Sequence, residues 1–301
     1  MYKIYIYDNI NHPIHDTINE YKNCIPFCQK GIIDNFIITK NPKDADIFYM
    51  GQFAEGKFYG FGQFYYIDEY PDKHICDIEG DWFNVSLPNH VLSKCIFTIN
   101  GLKNEYKFNL NRMFIRPTFS KNLMRLLTQD NEHDINYNRK FTFIGFNDPL
   151  NIRLQLKYFL ESKYQSNTDI VITNRWLGSS DSKDDHDKFN NMILSGTFSL
   201  CPRGTGVDSV RFLESCYHGR IPIVISDNVC FGYDFPDKFY FQHNPRENYD
   251  EFFDSIFHMS NKTIEEYSNN ARRFFNEYVR EYFKDPTKFF MKWLNKISDK
   301  E

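Results

Sequence analysis

Residues 196–227 constrain the fold more than any other part of the chain. Phe198-Ser199-Leu200-Cys201 is a short apolar run suited to a buried strand. Pro202-Arg203-Gly204-Thr205-Gly206 is a turn with two glycines and one cation. Val207 to Tyr217 reads as a helix that His218-Gly219 stops, and Ile221-Pro222-Ile223-Val224-Ile225 reads as a second buried strand. Strand, glycine loop, helix and strand in this order predict a right-handed βαβ unit, and with it a parallel α/β sheet. The loop offers backbone N–H groups and a helix N-terminus where an anion can sit.

A nucleotide diphosphate needs donors around its oxygens and at least one cation. Gly204 and Gly206 permit close backbone approach. Arg203 can meet a phosphate with two N–H groups at once. Ser209, expected in the first helical turn, has a hydroxyl to donate. Arg211 points elsewhere, either back to the phosphates or into the loop as a brace. Glu214 can accept both hydroxyls of a ribose. The competing reading is a structural βα turn with a surface Arg211–Glu214 pair. The loop is neither GxGxxG nor GxxxxGK[ST], which disfavours a hydride-transfer enzyme and a P-loop ATPase.

The rest of the chain repeats the strand–helix rhythm. Strands are expected at Lys3–Tyr7, Asn35–Thr39, Asp46–Met50, Cys95–Ile99 and Met113–Ile115. A polar stretch at 128–139 is the linker candidate. Beyond it come a strand at Lys140–Gly145, a helix at Leu150–Ser162, a strand at Asp169–Thr173, a charged loop at Ser180–Asp187 and a helix at Lys188–Leu194. A short strand at Lys238–Phe241 and amphipathic helices at Tyr249–Met259, Thr263–Phe283 and Pro286–Ile297 follow the βαβ unit. The pattern predicts two Rossmann-like α/β domains facing a cleft, 1–127 and 140–275. Helices in 276–301 are expected to brace the first domain. A chain of 301 residues with 41% hydrophobic and 18% aromatic residues can fill two such cores.

With a net charge of −4 and no basic stripe, nucleic acid is not an expected partner. Seven cysteines without a Cys-x-x-Cys argue against a zinc site or a disulfide framework. No run approaches a membrane span, and the opening MYKIYIYDN reads as a strand rather than a signal peptide. A cytosolic location is the expectation.

The βαβ segment resembles the nucleotide-sugar-binding region of exostosin-type glycosyltransferases. Phe198, Leu200, Pro202, Gly204, Ser209, Arg211 and Glu214 fall in register with that pattern, as do Gly219, Pro222 and Val224. Three weaker likenesses keep the family's order: the opening Lys3-Ile4-Tyr5-Ile6-Tyr7-Asp8 strand, the Thr39-to-Phe48 element around Pro42 and Ala45-Asp46, and Phe143-Ile144-Gly145 followed by Arg153. Residues 51–112 match poorly. The resemblance implies a GT-B fold and an inverting transfer from a nucleotide sugar, usually a UDP-sugar, without a bound metal. It implies that Arg203, Ser209 and Arg211 neutralise the leaving diphosphate, that Arg153 adds a further cation and that Glu214 holds the ribose. Thr205 and Gly206 belong to the same donor loop. Members of the family in animals and plants usually carry a membrane anchor, which this sequence lacks. A GDP-fucose-using fucosyltransferase and a catalytically silent glycan-binding or nucleotide-sugar-binding protein are the alternatives.

Inversion also needs a base for the acceptor hydroxyl. Asp8, at the end of the first strand, is the candidate, ahead of His12, His15 and Glu55. Asp44-Ala45-Asp46 spells the D-x-D metal signature of a different fold and is read as part of the metal-free element. The acidic run at 181–187 is read as a solvated loop. Trp176, Tyr233 and Phe235 are candidates to stack on a base or sugar, against the commoner fate of core packing.

Overall fold

The computed structural model of the chain describes residues 2–7, 37–54, 57–60, 65–78, 94–99, 102–103, 113–115, 117, 120–129, 133–148, 150–174, 182–204, 209–227, 229–230 and 235–298. The chain divides into two compact units. One comprises 1–102, 106–116 and 281–301, and the other 103–105 and 117–280. Both are α/β units built on parallel sheets, as the repeated strand–helix rhythm predicts.

The first unit holds β1 (Lys3–Ile6), β2 (Ile37–Thr39), β3 (Ile47–Ala54), β4 (Lys57–Gly60), β5 (His74–Ile78), β6 (Cys95–Ile99) and β8 (Met113–Ile115), and the short β7 (Leu102–Lys103) falls at the boundary of the two units. The sheet order is β2-β1-β3-β5-β6-β8, parallel throughout, and β4 returns antiparallel along β3. β4 and β5 lie in the aromatic-rich 51–94 stretch, where no period-2 alternation marks them. Ile4, Ile47, Tyr49, Ile75, Ile96 and Phe114 form the core. Phe290, Met291 and Leu294 of the C-terminal helix Pro286–Ser298 complete it. His74, the first residue of β5, is fully buried. Its Nδ1 donates to the Tyr70 carbonyl (2.9 Å) and its Nε2 accepts from the Tyr7 hydroxyl (2.5 Å). Burial lowers the His74 pKa to about 4 and keeps the ring neutral, as these two bonds require.

The second unit opens with α1 (Lys121–Leu126). It continues through β9 (Phe141–Phe146), α2 (Ile152–Tyr164), β10 (Thr168–Thr173), α3 (Lys183–Leu194), β11 (Phe198–Pro202), α4 (Arg211–Tyr217), β12 (Ile221–Ile225), β13 (Val229–Cys230), β14 (Phe241–His243), α5 (Asp250–Phe257) and α6 (Asn261–Phe274). A π-helical turn, Phe275–Val279, leads into α7 (Arg280–Lys284), and α8 is the Pro286–Ser298 helix of the first unit. The sheet is all parallel in the order β10-β9-β11-β12-β14. β11 and β12 are buried at every position, as strands covered on both faces must be.

Pro222 sits inside β12 without breaking the ladder. The Ile221 N–H goes to Thr197 O on the β11 side, so the next nitrogen faces β14, whose register with β12 begins only at Ile223.

Two expectations are corrected here. The acidic run is not a loop from 180 to 187: α3 begins at Lys183, capped by the Ser182 hydroxyl, which accepts from Asp185 N. Asp184 and Asp185 lie in its first turn, where the helix dipole favours acids, and Asp185 and His186 are buried. Residues 117–127, expected in the first domain, group with the second unit, and α1 packs on α4.

Candidate functional site

The carboxyl ends of β9, β11 and β12 meet at one edge of the second unit's sheet, and that edge carries arginines. In open parallel sheets this is the edge where ligands sit, because the strand ends leave a crevice bordered by loops.

Arg153 is the second residue of α2. Asp148 ties that helix start down, its carboxylate accepting from the N–H groups of Leu150 (2.9 Å), Ile152 (3.2 Å) and Arg153 (2.9 Å). The Arg153 side chain runs back to the sheet, donating to the carbonyls of Phe146 and Pro202, the last residues of β9 and β11. Its Nη2 lies 2.7 Å from where a Cβ would stand on Gly204, so glycine is needed there for the guanidinium to pass. Its buried Nε has no partner. Burial lowers the Arg153 pKa, opposed by the Asp148 charge.

Arg203 follows β11. Its backbone N–H donates to Ile225 O (2.9 Å), and its guanidinium pairs with Asp227, just after β12. Arg246 reaches the other Asp227 oxygen at 3.3 Å. Burial would raise the Asp227 pKa, but the Arg203 bond and charge hold it below the usual range.

Arg211 is the first residue of α4 and is buried. Its guanidinium lies between the rings of Phe143 and Phe189, 4.4 and 4.3 Å from their centroids, and Nη2 donates to Ile144 O. A Cβ on Gly145 would lie 3.0 Å from that Nη2. Burial, then the nearby Arg153 charge, lowers its pKa to about 10. Arg211 therefore braces β9. The described helix starts at Arg211, so Ser209 stands ahead of it, its carbonyl accepting from Phe212 N (2.9 Å).

Glu214 is 1% exposed. Its Oε1 accepts from Ser120 Oγ (2.8 Å) and Asn122 Nδ2 (3.1 Å), while the buried Oε2 has no partner. The surface ion pair with Arg211 does not form: the arginine is committed to Ile144 and the glutamate to α1.

The structure thus brings Arg153, Arg203 and Gly204 together at the sheet edge, with Ser209 on the following turn, and puts Arg211 and Glu214 behind them. Thr205 and Gly206, and the base candidates Asp8, His12, His15 and Glu55, lie outside the described residues, as do Trp176 and Tyr233. Phe235 is half-buried and packs edge-on against Phe239 and Phe274 under Arg273. Asp46 accepts from Lys3 N (2.6 Å), and Asp44 closes a single 3₁₀ turn capped by Asn41. Asp227, Ser120 and Asn122 escape sequence reasoning because their roles depend on contacts distant along the chain. Asp148 alone leaves a local trace, an acid four residues ahead of a helix start. Among the described residues, no helix is long and apolar enough to cross a membrane.

No protein-family model matches the chain, and no curated protein matches it. Solved structures that resemble it include one described as TarM, at 13% identity over 77% of this chain and 57% of that one, with a TM-score of 0.38. An α1,3-fucosyltransferase is 16% identical over 97% of this chain and 89% of that one, with a TM-score of 0.38. A glycosyltransferase from Rickettsia africae is 10% identical over 98% and 85%, with a TM-score of 0.41. The chain spans less than two thirds of the TarM length that it matches.

Proposed function

We propose that the chain is an inverting glycosyltransferase, moving a sugar from a nucleotide-sugar donor, most simply a UDP-sugar, to a hydroxyl of a glycan or other acceptor. The observation that carries this reading is the seating of Arg153. A half-buried guanidinium whose buried Nε has no partner bridges the ends of β9 and β11 and crosses a glycine that leaves it room. Arg203 stands on the same loop. Displacement at an anomeric carbon leaves a nucleotide diphosphate, and fixed cations at a poorly hydrated edge stabilise that charge as it develops. Arg153 and Arg203, with the backbone of Gly204 to Gly206 and the Ser209 hydroxyl, form the proposed diphosphate cradle. The charge compensation comes from arginine, so the proposal needs no metal ion. Asp8 is the proposed base, and acceptor recognition is assigned to the first unit.

The test is a calorimetric and thermal-shift panel of UDP, GDP and inorganic pyrophosphate. Mass spectrometry of products from UDP-sugars with glycan acceptors then follows. UDP and pyrophosphate are expected to raise the melting temperature. If none of the three does, the donor-site reading fails. A clear preference for GDP moves the assignment to a fucosyltransferase-type donor, and binding without transfer or hydrolysis moves it to a silent binding protein.

A further inference from the structure

We propose that Glu214 is a positioning residue that locks α1 to α4 behind the ligand-facing arginines, and that it does not touch a nucleotide. The ligand arm of this inference rests on the diphosphate reading above; the lock itself does not.

The argument starts from one oxygen. Glu214 Oε1 takes two donors, and both come from the start of α1. Ser120 is the N-cap of that helix. Its hydroxyl accepts from Leu123 N (2.9 Å) while donating to Glu214, so one group both caps the helix and fastens it. Asn122 Nδ2 also donates to Asn190 Oδ1 of α3 (2.9 Å), and Asn190 Nδ2 returns a bond to Asn122 Oδ1 (3.2 Å). His218, at the end of α4, donates from Nε2 to Asn190 Oδ1 (3.2 Å). Every side chain in this chain of bonds is buried, and together they join α1, α3 and α4. Buried polar networks fix one packing arrangement over its neighbours, because each broken bond leaves a desolvated group.

The unpartnered Oε2 invites the ribose reading, since a sugar hydroxyl is a donor. Less than 1 Å² of that atom is accessible, and Ser120 and Asn122 hold α1 against the carboxyl group. A ribose reaches Oε2 only if the groups packed over it move. A proton removes the charge of the buried carboxylate without any movement. Burial raises the Glu214 pKa against the lowering effects of Arg211, Ser120 and Asn122, which favours that neutral form. Glutamine keeps a carbonyl for Ser120 and Asn122 and removes the charge.

The experiment compares E214Q, E214A, S120A and the S120A/E214A double variant with the wild type. Melting temperatures and the affinities for UDP and inorganic pyrophosphate are measured. E214Q, which keeps the carbonyl that Ser120 and Asn122 bind, is expected to melt closer to the wild-type temperature than E214A does and to bind both ligands within about twofold of wild type. E214A and S120A are each expected to lower the melting temperature by about 3–8 °C. The double variant is expected to lose clearly less than the sum, because the two groups share one bond. If E214Q weakens UDP about tenfold or more and leaves pyrophosphate unchanged, Glu214 contacts the ribose and the proposal is overturned. Strictly additive losses overturn the lock. If wild type binds neither ligand, the nucleotide reading falls, and the melting cycle still decides the lock.

Discussion

At the scale of single residues, the site turns on which groups are committed to the protein and which remain for a ligand. Gly204 separates the two cases. Adding a methyl group puts Cβ 2.7 Å from Arg153 Nη2, the far end of a flexible side chain. The guanidinium will swing away rather than force the strands apart. Gly204→Ala is therefore expected to melt within about 2 °C of wild type but to lose about tenfold in pyrophosphate affinity, and Arg153→Ala at least as much. Calorimetric titration beside a melting scan reads both quantities, and unchanged affinity in both variants removes Arg153 from the site. Arg203 and Gly204 stood out in the sequence as neighbours on one glycine loop between buried strands, whereas Arg153, far off along the chain, entered only through the family resemblance. The partners of Arg211 and Glu214 were not legible, because Phe143, Phe189, Ser120 and Asn122 are distant along the chain; the sequence offered Arg211 as a phosphate contact or a brace and Glu214 as a ribose contact, with a surface pair as the competing reading.

At the scale of elements, α4 shows how the chain stops a buried helix. His218 ends it, and Gly219 takes φ +61°. Arg220 N then donates to Ser215 O (2.9 Å) and Gly219 N to Cys216 O (3.1 Å), the paired bonds of a Schellman cap. The His-Gly stop was readable because only glycine adopts that conformation cheaply. The start of α3 was not, since acids in a first turn look like a solvated loop until the Ser182 cap is seen. Gly219→Ala meets both the positive φ and the Arg272 guanidinium, whose Nη2 is 2.6 Å from the added carbon, and is expected to cost about 1–2 kcal/mol in urea unfolding. His218 adds a pH dependence. Burial, then the His133 and Arg220 charges, lowers its pKa to about 3, while an unfolded histidine titrates near 6.5. Below about pH 6.5 the unfolded chain takes up a proton that the folded ring refuses. Its stabilising contribution is whole above that pH and falls on acidification by up to about 1.4 kcal/mol per pH unit. His133 shifts in the same direction. His218→Gln keeps an N–H for Asn190 and removes the titration. Its loss of stability between pH 7 and pH 5 should be about 1–2 kcal/mol smaller than wild type. Equal losses in the two proteins rule out His218 as a source of the acid sensitivity.

At the scale of the whole molecule, the chain builds two parallel-sheet units and finishes the first with its last residues. Helical aromatic spacing in Pro286–Ser298 and the strand at Lys3 are readable locally, but neither indicates that they share a core; that follows from packing. Phe290 is fully buried, its ring 5.1 Å from that of Phe114 on β8, and it lies in one cluster with Ile4 and Ile47. Truncating it removes apolar area and leaves a cavity in the first unit alone, at a cost of about 3–5 kcal/mol. The second unit's core, around Phe141, Phe198 and Ile223, contains none of those residues. Phe290→Ala should therefore lower the unfolding temperature of the first unit, while the transition raised by pyrophosphate stays in place. Scanning calorimetry with and without pyrophosphate distinguishes the two transitions. If the variant moves both by the same amount, the units unfold as one body, and α8 supports the whole chain rather than the first sheet.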